Sequence, residues 1–192
     1  MTLPADMTLP ADRVSAALRL LEATGAAGSG HPGGTLGAHL LRVRGRLEGW
    51  QARPALQLAG LCHAFYGTDG FAVAPLPAGE RSRLVEAIGA EAEAIVYFYA
   101  SCDRAASYPA LDAAEPVFHD RFTGRRFVPA AQRRRDFAEL TAANELDIAS
   151  VDGAFRAAHG AGLLALFTRL RPLLSAAAWR DCVHVLAAPP AG

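Results

Sequence analysis

Thr35-Leu-Gly-Ala-His39-Leu-Leu-Arg-Val43-Arg-Gly-Arg-Leu47-Glu-Gly-Trp50 carries the clearest periodicity in the chain. Leu36, His39, Leu40, Val43 and Leu47 recur at the i, i+3, i+4, i+7 spacing of one helix face. The pattern predicts an amphipathic helix over 35–50 with His39 on its core side.

The neighbours extend this reading. Upstream, Val14, Ala17, Leu18 and Leu21 predict a helix over Asp12–Ala23, and the stretch Gly25–Gly37, with six glycines and one proline in thirteen residues, breaks it. His31 lies in that loop. Downstream, Pro54 suits a helix start, and Ala55–Phe65 is apolar on nearly every side, which predicts a buried helix with His63 in its last turn. Tyr66-Gly-Thr-Asp-Gly70 follows as a turn.

A charged helix is expected over Glu80–Ile88, closed by Gly89, and then one continuous helix over Ala90–Ser107 with Asp103 near its end, although the run IVYFYA alone also suits a strand. Residues 108–129, with three prolines and Thr123-Gly124, predict an irregular excursion carrying a hairpin around Arg121–Val128. Helices are expected over Arg134–Ala149, Gly160–Leu170 and Leu174–Leu186. The expected fold class is all-α, a bundle of about seven helices.

Bulk properties narrow the function. Hydrophobic residues make up 52% and charged residues 20%, with 19 basic against 19 acidic side chains, so the charge excess of a nucleic-acid binder is absent. Cys62, Cys102 and Cys182 are three in number with no CxxC pair, which indicates neither a disulfide framework nor a thiolate zinc site and fits a reducing cytoplasm. No apolar run approaches the roughly 20 residues needed to cross a bilayer, and no export signal is read at the start. The hexapeptide MTLPAD occurs twice in succession, over 1–6 and 7–12, and reads as an upstream start codon rather than a structural repeat. Residues 1–12 are therefore expected to be a disordered start, 13–187 one domain, and 188–192 a fraying tail.

His39, His63 and Asp103 all fall on surfaces that the apolar pattern assigns to the interior. A buried imidazole is commonly satisfied by an ordinary core hydrogen bond, but two neutral histidines and one carboxylate also satisfy one another by sharing a divalent metal. Zn, Mn or Fe suits such a set. Around it, His31, Tyr66 and Asp69 are candidate catalytic groups, with His31 a possible fourth ligand or general base. Thr68, Arg104, Asn144 and Glu145 are candidate substrate contacts. Asn144, Glu145 and Asp147 form a polar cluster amid apolar Leu140, Leu146, Ile148 and Val151, so they face either a pocket or solvent.

The segment His39-Leu-Leu-Arg-Val43 resembles the first motif of HD-domain proteins, and Leu58-Ala-Gly-Leu-Cys-His63 resembles the helix that ends in their His-Asp doublet. Ile95–Arg104 is similar to the helix that supplies their final aspartate. The resemblance spans about 31–107, and more narrowly the chain looks like an HD-like family marked by HL followed by AGLxHxxYGTxxF. It implies an HD-like helical fold with a metal centre. The doublet aspartate is replaced by Ala64, so a dinuclear centre is not implied.

What remains is a mononuclear set of His39, His63 and Asp103. Three functions are expected from it. One is a metal-dependent hydrolase or lyase acting on a small polar metabolite through metal-activated water. Another is an Fe(II)-dependent oxygenase, since some HD-like proteins are iron oxygenases. The last is a non-catalytic ligand- or protein-binding module that has lost its metal. A small-molecule substrate, no nucleic acid and no membrane are the expected partners.

Overall fold

The computed structural model describes residues 11–71 and 73–187; the expectations for residues 1–10 and for the tail 188–192 lie outside them. Thr35 opens the periodic helix as expected, its hydroxyl accepting from the Ala38 amide at 3.2 Å. This helix, α2 (Leu36–Gly49), buries Leu36, His39, Leu40, Val43 and Leu47. It follows α1 (Ala11–Ala23) and a two-residue hairpin of β1 (Gly30–His31) with β2 (Gly34–Thr35). The hairpin replaces part of the irregular glycine-rich loop. It is possible because Gly33 (φ +76°) and Gly34 (φ +133°) reverse the chain in conformations that L side chains avoid, and the reversal lays His31 over α2.

Pro54 begins α3 (Pro54–Cys62), which is shorter than expected and leaves His63 as its C-terminal cap residue. α3 lies close against α2 at Gly60, where an added Cβ would sit 2.5 Å from Leu47 Cδ1 and 3.6 Å from Arg44 Cα. α4 (Arg81–Ile88) and α5 (Ala90–Ala100) follow.

The continuous helix expected over Ala90–Ser107 is broken at 101–103. A distant hairpin, β3 (Phe118–His119) with β4 (Arg126–Phe127), takes over the backbone there: Asp103 N donates to His119 O at 3.0 Å and Arg121 N to Ser101 O at 2.8 Å. Asp103 then caps a new short helix, α6 (Arg104–Ser107). The same hairpin packs Phe118 on Phe98, their rings stacked 4.0 Å apart, with Phe127 and Phe137 beside them.

α7 (Ala131–Val151) is the axis of the bundle, in contact with α2, α3, α5, α8 (Gly153–Arg169) and α9 (Ala176–Leu186). α8 starts seven residues before the expected Gly160 because Asp152 caps it, accepting from the Phe155 amide at 2.9 Å. Two buried acids are gripped bidentately by arginines: Asp136 by Arg53 at 3.0 and 2.6 Å, and Glu93 by Arg81 at 2.6 and 2.7 Å. The described residues thus form an all-α bundle of nine α-helices with two small hairpins. Among them no helix is long and apolar enough to cross a membrane.

Candidate functional site

Three helices meet around His39. It projects from the buried face of α2; His63 arrives at the end of α3; Asn144 and Asp147, one turn apart on α7, close the site. His39 Nδ1 lies 2.7 Å from Asp147 Oδ2, and Arg42, one turn along α2, donates to the same carboxylate from Nε at 2.7 Å and from Nη2 at 2.9 Å. Burial alone would push the Asp147 carboxyl up, but the hydrogen bonds from His39 and Arg42 outweigh it and hold the group below the usual carboxylate range.

Tautomers follow from the partners. The Asp147 carboxylate only accepts, so His39 Nδ1 carries a proton; Gly60 O only accepts, so His63 Nδ1, 2.8 Å away, carries one too. Burial, and then His39, drive the His63 imidazole down to about 3, so it is neutral at ordinary pH with a lone pair on Nε2. The two Nε2 atoms face each other at 3.4 Å, and Asn144 Oδ1 lies 3.1 Å from that of His39. The Asn144 amide is held in this sense because its Nδ2 donates to Glu145 Oε1 at 3.2 Å.

With His39 neutral, three lone-pair-bearing atoms converge and a cation among them satisfies all three; with His39 doubly protonated, its Nε2–H donates to Asn144 Oδ1 instead. Two nitrogens bound to one tetrahedral ion at about 2.0–2.1 Å stand roughly 3.4 Å apart, the separation observed. Carboxylate and backbone-carbonyl partners on the far ring nitrogens are also the usual supports of metal-binding histidines. The chemistry of the donors fits a single divalent ion at His39 and His63, with Asn144 beside them.

His31 stacks on His39, ring centroids 3.9 Å apart and planes at 21°, and meets Phe71 edge-on at 5.6 Å. Burial, followed by the proximity of His39, lowers its pKa. A cavity of about 300 Å3 opens onto His31 and His63, while His39 is fully buried behind them and does not line it. His31, His63, Thr68, Arg104, Asn144 and Glu145 are among its polar lining, and Phe71, Ile148 and Phe155 among its apolar lining. A larger groove of about 690 Å3 between α2, α7 and α9 is lined by Arg42 and Asp147 but by none of His31, His39 and His63, so the smaller cavity is the one that meets His31 and His63.

The expected residues thus divide. His31, His39, His63 and Asn144 come together, with Thr68, Arg104 and Glu145 around them. Asp103 is not the carboxylate of the site: its Oδ1 caps α6, accepting from the Ala106 amide at 2.9 Å, a consequence of the break at 101–103. Among the described residues no group of three or more His, Cys, Asp and Glu side chains is placed to hold a metal ion, so the triad of His39, His63 and Asp103 is not assembled. Tyr66 is turned to Glu93, donating at 2.9 Å next to Arg81, and does not line the cavity. Asp69 is exposed and accepts from the Arg104 amide at 3.0 Å, which positions that residue rather than a substrate.

Arg42 and Phe71 fall inside the quoted motifs but, like Phe155, carried no expected site role. Arg42 stands one turn from His39 and pairs with a carboxylate more than a hundred residues away, so nothing local marks it.

Residues 20–104 match the protein family described as Domain of unknown function (DUF6817). The match carries His31, His39 and His63 but stops short of α7, which supplies Asn144, Glu145 and Asp147. No curated protein and no solved structure matches the chain.

Proposed function

We propose that the chain is a mononuclear metal-dependent enzyme of HD-like type, acting in the cytoplasm on a small polar metabolite held in the 300 Å3 cavity. The observation that supports this reading is the pair of Nε2 atoms at 3.4 Å, each on a ring whose Nδ1 is committed to an acceptor. His39 and His63 would hold the ion, with Asn144 Oδ1 as the neighbouring oxygen. A divalent cation bound there supplies Lewis acidity and lowers the pKa of a water, which is hydrolase or lyase chemistry, and iron in the same place suits an oxygenase.

The chain's own residues prepare the place. Asp147 fixes the ring of His39 and keeps the proton on Nδ1, and Arg42 anchors Asp147. Gly60 O does the same for His63. His31 and Glu145, at the cavity wall, are the groups able to accept or return a proton from a bound molecule. Three buried free thiols accord with a reducing compartment.

A second reading has one specific support. Two imidazoles and an amide form a weaker donor set than the expected one with Asp103, and that favours a binding module whose metal has been lost. Titration of chelator-treated protein with Zn(II), followed by calorimetry, separates the two. One site per chain that disappears in His63→Ala and persists in Tyr66→Phe upholds the enzyme reading; heat of dilution alone in the wild type leaves the binding module.

A further inference from the structure

Arg104 and Glu145 face the cavity together, yet they grip each other loosely. Arg104 Nη1 lies 3.3 Å from Glu145 Oε1, and its Nη2 donates to Tyr99 Oη at 3.2 Å. Both are longer than the roughly 2.7–2.9 Å of a charge-assisted bond. The contrast lies within the molecule, since Arg42, Arg53 and Arg81 each hold a buried acid through two contacts at 2.6–3.0 Å.

Nor is either group saturated. Of about five guanidinium N–H donors, Arg104 commits two to partners among the described residues. On Glu145, Oε1 takes the bonds from both Arg104 and Asn144, and Oε2 takes none among the described residues. Arg104 is held in place independently of any ligand, its backbone amide donating to Asp69 and its guanidinium lying over the Tyr99 and Tyr108 rings at 5.8 and 6.0 Å. The rest of the wall includes Phe71, Ile148 and Phe155.

We infer that this cavity recognises a zwitterion whose two charged groups are carried on one carbon, an apolar α-amino acid, with its carboxylate on Arg104, its ammonium on Glu145 and its side chain against the aromatic wall. A simple anion would leave Glu145 facing its negative charge across the 3.3 Å gap to Arg104, and a simple cation would face Arg104. Only adjacent opposite charges satisfy both groups. A volume of about 300 Å3 is at the small end of ligand cavities and accommodates a single amino acid. The inference names the substrate class of the proposed enzyme and rests on that reading for its catalytic meaning, but not for binding, since neither Arg104 nor Glu145 is a proposed metal ligand.

Calorimetric titration of chelator-treated and Zn(II)-treated full-length protein with L-phenylalanine, L-leucine, 3-phenylpropionate and phenethylamine tests it. An amino acid binding at least tenfold tighter than either singly charged analogue is the expected result. Arg104→Gln should weaken that binding at least tenfold, and Glu145→Gln should remove the preference over 3-phenylpropionate. Equal or tighter binding of 3-phenylpropionate or phenethylamine to the wild type, or no binding of any of the four, overturns the inference whatever the variants do. Amino-acid binding to protein that takes up no metal would reject the metal reading and leave this one standing.

Discussion

Asp147 is where the electrostatics of the site are concentrated. One carboxylate orients His39 and holds Arg42 bidentately while itself almost wholly buried, 2% exposed. Asp147→Asn preserves the shape but removes the charge that both partners require. Metal affinity should fall about 10–100-fold, the usual cost of losing a carboxylate behind a ligating histidine, and stability should fall by about 3 kcal/mol, because Arg42 loses its anion next to a buried site. Zn(II) titration and urea unfolding read the two effects, and unchanged affinity in a folded variant would remove Asp147 from the account. This residue was partly legible in the sequence: Asn144, Glu145 and Asp147 stand among apolar Leu140, Leu146, Ile148 and Val151, a pattern that suits a pocket or a solvated face and that only the packing of α7 against α2 and α3 decides. Arg42 was not legible, since an arginine at the edge of an amphipathic face looks solvated until its distant partner is known.

At the level of elements, the periodic helices were readable and the long-range interruption was not. α2 follows directly from its repeating apolar face, and α4 and α9 nearly so. The break between α5 and α6 has no local signal, because the IVYFYA run is apolar throughout and the hairpin that competes for its backbone lies about twenty residues on. The misplacement of Asp103 follows from that break, because a residue expected on a helix face became a helix cap.

Asp103→Ala is therefore expected to cost about 0.5–2 kcal/mol through loss of the cap and to leave Zn(II) stoichiometry unchanged. Loss of the metal in a variant that remains folded would restore Asp103 to the ligand set. Gly60→Ala tests how α3 sits on α2. Its new Cβ meets Leu47 Cδ1 at 2.5 Å while the nearest α2 backbone atom stays at 3.6 Å, so the fully buried Leu47 side chain or the spacing of the two helices must give, and a loss of about 1–3 kcal/mol in denaturant unfolding is expected. Weaker Zn(II) binding should accompany it as His63 moves away from His39. An alanine that is neutral for both stability and binding would show the contact to be slack.

Across the whole molecule, the site draws on residues from His31 to Asp147, so it exists only when α2, α3 and α7 are packed together. Cys62, Cys102 and Cys182 sample three parts of that packing, and all are buried and free. Burial pushes the Cys62 thiol up, and pushes those of Cys102 and Cys182 up to about 12. At a pH near 8, well below those values, little thiolate forms, and the thiolate is the reactive species. A chromogenic thiol reagent should find no reactive cysteine in native protein and three after denaturation; prompt native reaction would mean that the bundle opens readily.

His39 and His63 face each other through their Nε2 atoms at 3.4 Å, and the proposed function rests on a metal ion held between them. Metal content by mass spectrometry tests it most directly, on wild type and His39→Ala purified in parallel without chelator. Close to one equivalent of zinc, manganese or iron is expected in the wild type, with most of it lost in a variant that remains folded. Less than about a tenth of an equivalent in the wild type, or equal metal in both proteins, would contradict it.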